Sequence, residues 1–334
     1  MPAKMRAALA MSAASRDRVV DRTFLDRLRA VVDLDETLLS EFTSPRALGV
    51  LAGVDVLVTG WGCPVLDADV LDAAPRLRAV VHAAGSVRHH VSAACWDRGI
   101  QVSSAAAANA VPVAEYTLAM VLLAGKAVLP AADAFRVERT RTAMRFSESA
   151  GNYRSTVGIL SASLVGRRVL ELLRPHDLEV LVHDPFVPDS ELRALGAEPV
   201  GLGELARRSD VFSVHTPLLP ETRGLVDARV LASLRDGATL VNTARGAVVD
   251  PEALTRELLS GRLRAVLDVT DPEPLPPGSP LWSCPNVLLT PHVAGSLGNE
   301  MRRLTAAAAD EVERLADGLP LAHPVAHPAL SRTA

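Results

Sequence analysis

The stretch Thr156-Val157-Gly158-Ile159-Leu160-Ser161-Ala162-Ser163-Leu164-Val165-Gly166 decides how this chain is read. Val157–Leu160 is a short apolar run, Leu164–Leu173 has the apolar period of a helix, and a three-residue turn joins them. Such a unit aims the first amides of the helix at an anion lying beyond the strand. The turn has the spacing of the dinucleotide fingerprint GxGxxG. Ser161 and Ser163 stand at its first two glycine positions, and only Gly166 is retained. Asp184 closes the next apolar run, Glu179–His183, where a carboxylate would accept hydrogen bonds from adenosine ribose hydroxyls. No Arg or Lys follows in His183-Asp184-Pro185-Phe186-Val187 to meet a 2′-phosphate, which favours NAD over NADP. A left-handed backbone at either serine costs about 1–2 kcal/mol, roughly tenfold in affinity. A serine hydroxyl would recover part of that by bonding a phosphate oxygen. A plain strand, turn and helix with a surface Asp would show the same local pattern.

Outward from the turn, the alternation is regular. Val211–His215, Thr239–Asn242, Ala265–Asp268 and Val287–Thr290 read as further strands, with helices such as Pro251–Ser260 between them. Asp271–Pro280 is proline-rich and reads as a loop. The first half has the same rhythm, with strands at Val54–Thr59 and Leu77–His82 and helices at Val20–Val31 and Leu66–Ala74. The expected fold is α/β: two Rossmann/flavodoxin-like domains of doubly wound parallel sheet. Val111–Val128 reads as a buried helix joining the two domains, too short and too polar at its ends to span a membrane. Arg136–Arg154 reads as a polar surface connection, Leu304–Leu315 as a helix, and the tail beyond Pro320 as loosely ordered.

Composition narrows the function classes. The 334 residues are 49% hydrophobic and 22% charged, which excludes a disordered chain and supplies core for two domains. A net charge of −4 lacks the basic footprint of a nucleic-acid binder. Cys63, Cys95 and Cys284 form neither a CxxC pair nor a zinc spacing, so neither a metal site nor a disulfide scaffold is expected. A reducing cytoplasm suits them. Lys4 and Arg6 ahead of Ala7–Met11 faintly imitate a signal segment, but charges return at Arg16. A first buried strand is the better reading.

Three segments carry the chemistry: Val241-Asn242-Thr243-Ala244-Arg245-Gly246, Leu267-Asp268-Val269-Thr270-Asp271-Pro272-Glu273-Pro274 and Thr290-Pro291-His292-Val293-Ala294-Gly295. Each follows an expected strand, and residues past the carboxyl ends of parallel strands line the ligand crevice. A guanidinium, a carboxylate and an imidazole would meet there.

With Val214-His215-Thr216-Pro217-Leu218-Leu219-Pro220-Glu221-Thr222-Arg223-Gly224 and Asn109-Ala110-Val111-Pro112-Val113-Ala114-Glu115, these segments resemble the D-isomer-specific 2-hydroxyacid dehydrogenases. That family includes phosphoglycerate, glyoxylate and formate dehydrogenases. The resemblance covers nearly the whole chain. It implies an NAD-dependent 2-hydroxyacid dehydrogenase or 2-keto acid reductase, homodimeric, with a cleft between its domains. Residues 1–108 plus 304–334 would form the substrate domain and 109–303 the cofactor domain. Arg245 would bind the substrate carboxylate through its planar fork. His292 would be the general acid and base, and Glu273 would orient it and favour its charged form. Cofactor contacts are implied for Ser161, Ser163, Leu164, Val165, Gly166, Asp184, His215, Thr216, Pro217, Thr222, Thr243, Ala244, Asp268 and Gly295.

The first-half turn matching the family's carboxylate-binding loop is His82-Ala83-Ala84-Gly85-Ser86-Val87-Arg88-His89-His90-Val91. Substrate contacts are expected from Ala84, Gly85, Ser86, Arg88 and, after a neighbouring strand, Trp61. His90 sits where the family pattern ends in Asp. Arg88, His89 and His90 would add positive potential and suit a 2-keto or 2-hydroxy acid with a second acidic group. Side chains facing solvent or capping a helix are the alternative. Two rival functions stand beside the dehydrogenase: a non-catalytic, corepressor-like dinucleotide sensor, and an NADP-dependent reductase.

Overall fold

A computed structural model describes residues 4–140 and 150–327. The chain forms two units, with boundaries between Asn109 and Ala110 and between Gly295 and Ser296. The return to the first unit thus begins ahead of the expected residue 304. Ser296 N–H donates to Asn109 Oδ1 at 3.0 Å, which ties the returning chain to the first unit ahead of the helix Met301–Ala316.

The first unit is a parallel sheet of β1 (Arg6–Ala10), β2 (Asp33–Leu39), β3 (Val56–Thr59), β4 (Ala79–His82) and β5 (Gln101–Ser104). Their order is β2-β1-β3-β4-β5, the flavodoxin-like winding. Alternate residues serve opposite layers: Ala8, Ala10, Leu57 and Val80 pack on one face, Ala7, Leu9, Val56, Val58 and Val81 on the other. The Ala7–Ala10 run is therefore a buried interior strand, as the sequence suggests. β2 went unforeseen because Asp33, Asp35 and Glu36 hide its period. It is an edge strand, where charge is tolerated, and Arg6 reaches Asp33 at 3.9 Å and Asp35 at 3.7 Å. The helix expected over Val20–Val31 is found as Arg22–Val31, started by the Asp21 carboxylate, which accepts from Phe24 N–H at 2.9 Å, and a separate unforeseen helix, Ala13–Val19, precedes it.

The tail corrects another expectation. Val325 N–H donates to Val102 O at 2.7 Å, and the Trp96 indole donates to Val325 O at 2.9 Å. The buried Glu311 carboxylate accepts from Ala322 and His323 N–H at 2.8 and 2.7 Å. Backbone pairing and a buried acceptor hold residues 322–325, and residues 328–334 of the tail lie outside the described residues. Part of the expected 136–154 connection is helical, Val128–Glu138, and residues 141–149 lie outside the described residues.

The second unit is a seven-stranded parallel sheet: β6 (Thr156–Leu160), β7 (Glu179–His183), β8 (Glu198–Pro199), β9 (Val211–Val214), β10 (Thr239–Asn242), β11 (Arg264–Leu267) and β12 (Val287–Leu289). The order β12-β11-β10-β9-β6-β7-β8 reverses between β6 and β9. Only β8, two residues long, was too short to show a period. Phe212, Val214, Leu240 and Leu267 line one face, while Val157, Ile159, Val241 and Val266 line the other. The helix runs Ala106–Gly125, starting five residues ahead of the expected Val111 and so leaving out Lys126, and this corrects the length argument: by length and composition alone it could cross a membrane. Ala114 and Val121 are packed in the core of this unit, and Tyr116 and Thr117 hydrogen-bond to its strand-end loops.

Candidate active site

The strand order makes a crevice where the winding reverses, outside the carboxyl ends of β6 and β9. Three hydrogen bonds close the loops there. His215 N–H donates to Leu160 O at 2.9 Å, the Ser163 hydroxyl to His215 O at 2.7 Å, and Thr216 Oγ1 to Leu160 O at 3.4 Å. Ser161 has φ 79°, so the first position of the turn is indeed left-handed. Ser163 has φ −62°, so the second is not; it is the N-cap of the helix Leu164–Leu173 and accepts from Gly166 N–H at 3.3 Å. A Cβ on Gly166 would lie 2.0 Å from Ser161 O, so only glycine fits the third position. Leu164 and Val165 carry first-turn amides, which lack partners within the helix.

Both serine hydroxyls are spent on acceptors within the protein. Ser163 gives its proton to His215 O, and Ser161 donates to Asp184 Oδ2 at 3.1 Å. His215 is buried, which pushes its pKa down to about 3; Nε2 meets Ser213 Oγ at 2.8 Å, and Nδ1 has no partner among the described residues. Downstream, Thr222 Oγ1 donates to Pro217 O at 2.6 Å and accepts from Leu219 N–H at 2.8 Å, which shapes the 217–222 loop.

Beyond β10, Asn242 holds the turn that presents Arg245. Its amide donates to Arg245 O and accepts from Ala244 N–H, both at 3.0 Å. Arg245 Nη1 donates to Ala244 O at 2.7 Å, and Thr243 Oγ1 lies 3.1 Å from Thr117 Oγ1. A Cβ on Gly246 would sit 2.1 Å from Thr270 O, so the Arg245 turn packs directly on the backbone leading to Glu273.

Glu273 Oε1 lies 2.7 Å from His292 Nδ1, both side chains about half exposed, at 42% and 51%. His292 Nε2 has no partner among the described residues. His292 has φ 54°, a strained setting that Asp268 enforces. The Asp268 carboxylate, 2% exposed, accepts from Thr290 Oγ1 at 2.6 Å, Val293 N–H at 2.7 Å and Ala294 N–H at 2.9 Å. Tyr116 OH completes the chain at 2.8 Å from Thr290 Oγ1. The structure therefore brings Glu273 and His292 together and spends most of Asp268 on the turn that carries His292, ahead of the Gly295 boundary. Asn242, Thr290 and Tyr116 were missed; their one signal was a polar side chain at a strand end or within an apolar helix.

In the first unit, Ala84 is fully buried, Gly85, Ser86 and Arg88 are partly so, and Trp61 is 39% exposed with the Arg18 guanidinium 6.0 Å from its ring. His90 corrects an expectation. It is buried, with Nε2 3.1 Å from Thr59 Oγ1, whose other partner is His82 Nδ1 at 2.9 Å. Burial, reinforced by a neighbouring histidine, pushes His90 down to about 4 and His82 to about 3, so neither adds charge near neutral pH.

These depressed values set a pH dependence. Unfolded histidine titrates near 6.5, so between about pH 6.5 and 4 the unfolded chain binds more protons than the folded one. Stability is lost as pH falls through that window, by up to about 1.4 kcal/mol per pH unit for each such histidine. Urea midpoints measured from pH 7 to 5 should fall less steeply for His90→Gln than for the parent chain. Parallel slopes would refute a neutral, buried His90.

The profile described as "D-isomer specific 2-hydroxyacid dehydrogenase, NAD binding domain" matches residues 118–294. Over 268 residues the chain is 36% identical to D-3-phosphoglycerate dehydrogenase of Mycobacterium bovis, which covers 80% of this chain and 50% of that protein. It is 35% identical over 263 residues to glyoxylate reductase of Aeropyrum pernix, which covers 76% of this chain and 77% of that one. The crystal structure of TT0316 protein from Thermus thermophilus superposes with a TM-score of 0.74 at 30% identity, over 96% of this chain and all of that one. The chain spans about half the length of the phosphoglycerate dehydrogenases it matches. It belongs to the D-isomer specific 2-hydroxyacid dehydrogenase family, and the cofactor of its second unit is NAD. The residues present fit that cofactor. Gly166 lets the helix pack directly on the Ser161 carbonyl, which sets the first-turn amides of Leu164 and Val165 at the strand end where a pyrophosphate would lie, and Asp184 follows β7 at the position of a ribose acceptor.

Proposed function

We propose that the protein interconverts a small 2-keto acid and the D-type 2-hydroxy acid with NAD. The observation that carries this is the Glu273–His292 contact of 2.7 Å, which leaves Nε2 open in a chain of this family. Bound NAD supplies the hydride chemistry at substrate C2. His292 Nε2 gives a proton to the C2 oxygen in reduction and takes it back in oxidation. Glu273 holds the ring through Nδ1 and steadies the charged form. Arg245 holds the substrate carboxylate and polarises the carbonyl. Ala84, Gly85, Ser86 and Trp61 complete substrate recognition. Arg88 would meet a second acidic group on a substrate that has one, without the buried, neutral His90. The reading includes a homodimer.

The test mixes purified protein with NADH or NADPH and glyoxylate, pyruvate, hydroxypyruvate or doubly acidic 2-keto acids, and follows absorbance. Oxidation of NADH by one acid, with NADPH slower, is the expected result. NADH binding with no turnover across the panel would favour the dinucleotide sensor instead.

A further inference from the structure

Asp184 is more heavily engaged than a ribose acceptor should be. Oδ2 accepts the Ser161 hydroxyl at 3.1 Å and Ala162 N–H at 2.9 Å, and Oδ1 accepts Phe186 N–H at 2.9 Å. An ionised carboxylate offers about four lone-pair directions. Three are filled by the protein, and the one left is on Oδ1. The adenosine ribose of NAD presents two hydroxyl donors, whereas that of NADP presents one, its 2′ oxygen being esterified.

We infer that Ser161 is a specificity-determining residue for the dinucleotide. Its hydroxyl occupies the acceptor direction that the second ribose hydroxyl of NAD would take. The left-handed backbone at φ 79° explains how a side chain at this position comes to face Asp184 rather than open solvent. The ribose of NAD is then gripped through one hydroxyl, as that of NADP would be. Affinity for NAD is lowered and its advantage over NADP is narrowed, although the Asp184 charge still opposes a 2′-phosphate. Removing the hydroxyl frees a second lone pair, which only a ribose with both hydroxyls can use.

The inference rests on the NAD assignment and not on turnover, so binding is the readout. Wild type, Ser161→Gly and Ser161→Ala are titrated with NADH and NADPH by fluorescence, after thermal melting shows that each is folded. Both variants should bind NADH about three- to tenfold more tightly, the net value of one ordinary hydrogen bond, since the ribose hydroxyl gives up water to make it. NADPH affinity should change by less than about twofold. Glycine alone would relieve backbone strain, so alanine isolates the hydroxyl. Unchanged or weaker NADH binding in both variants would overturn the inference. So would equal tightening of NADPH, which would point to relief at the shared pyrophosphate, and so would an absence of NADH binding in all three proteins. A protein that binds as expected but reduces no keto acid would instead count against the proposed reaction.

Discussion

His292→Ala is expected to lower kcat for keto-acid reduction by about 10²–10⁴-fold, the usual worth of a positioned general acid. NADH affinity should hardly move, because no nucleotide contact is assigned to this side chain. The expectation rests on direction. Nδ1 is occupied by Glu273 at 2.7 Å, so the proton exchanged with substrate must travel through Nε2. Measuring kcat and NADH dissociation on the same preparation checks both halves. A loss smaller than about tenfold would mean that water or another group delivers the proton, and the acid–base role would pass from His292.

Asp268→Ala should be the most damaging single change to the folded chain. It leaves the Thr290 hydroxyl and the Val293 and Ala294 amides without their acceptor, all near a carboxylate that is 2% exposed. Each orphaned donor costs up to about 1–3 kcal/mol, so the three together make a loss of several kcal/mol. The same turn carries His292 at φ 54°, so kcat should fall alongside the urea midpoint. A contrary result is well defined. A normal midpoint with weakened NADH binding would make Asp268 chiefly a cofactor contact, as the family resemblance implies, and not the support of the histidine turn.

The site was legible in part because its chemistry is local to short segments. Arg245, Glu273 and His292 each follow a strand that announces itself by an apolar run, and parallel strands deliver their next residues to one edge. Turn chemistry was less legible. The serines at 161 and 163 were visible as departures, but their proton acceptors lie 23 and 52 residues away, at Asp184 and His215. His90 looked like a surface cation between Arg88 and Val91 and is a neutral partner of Thr59. Nothing in its neighbours along the chain distinguishes those two fates.

The sequence by itself determined the strand and helix alternation and the strand-end segments that carry Arg245, Glu273 and His292, because burial on both faces of a parallel strand writes an apolar run into the chain. Only the tertiary structure decided that the charged β2 belongs to a sheet edge, that Asp268 is spent on the turn carrying His292, and that Ser161 fills a place on Asp184. Those outcomes depend on strand order and on which donors meet which acceptors across it, and hydrogen-bond partnership, unlike hydrophobic burial, leaves no period in the sequence.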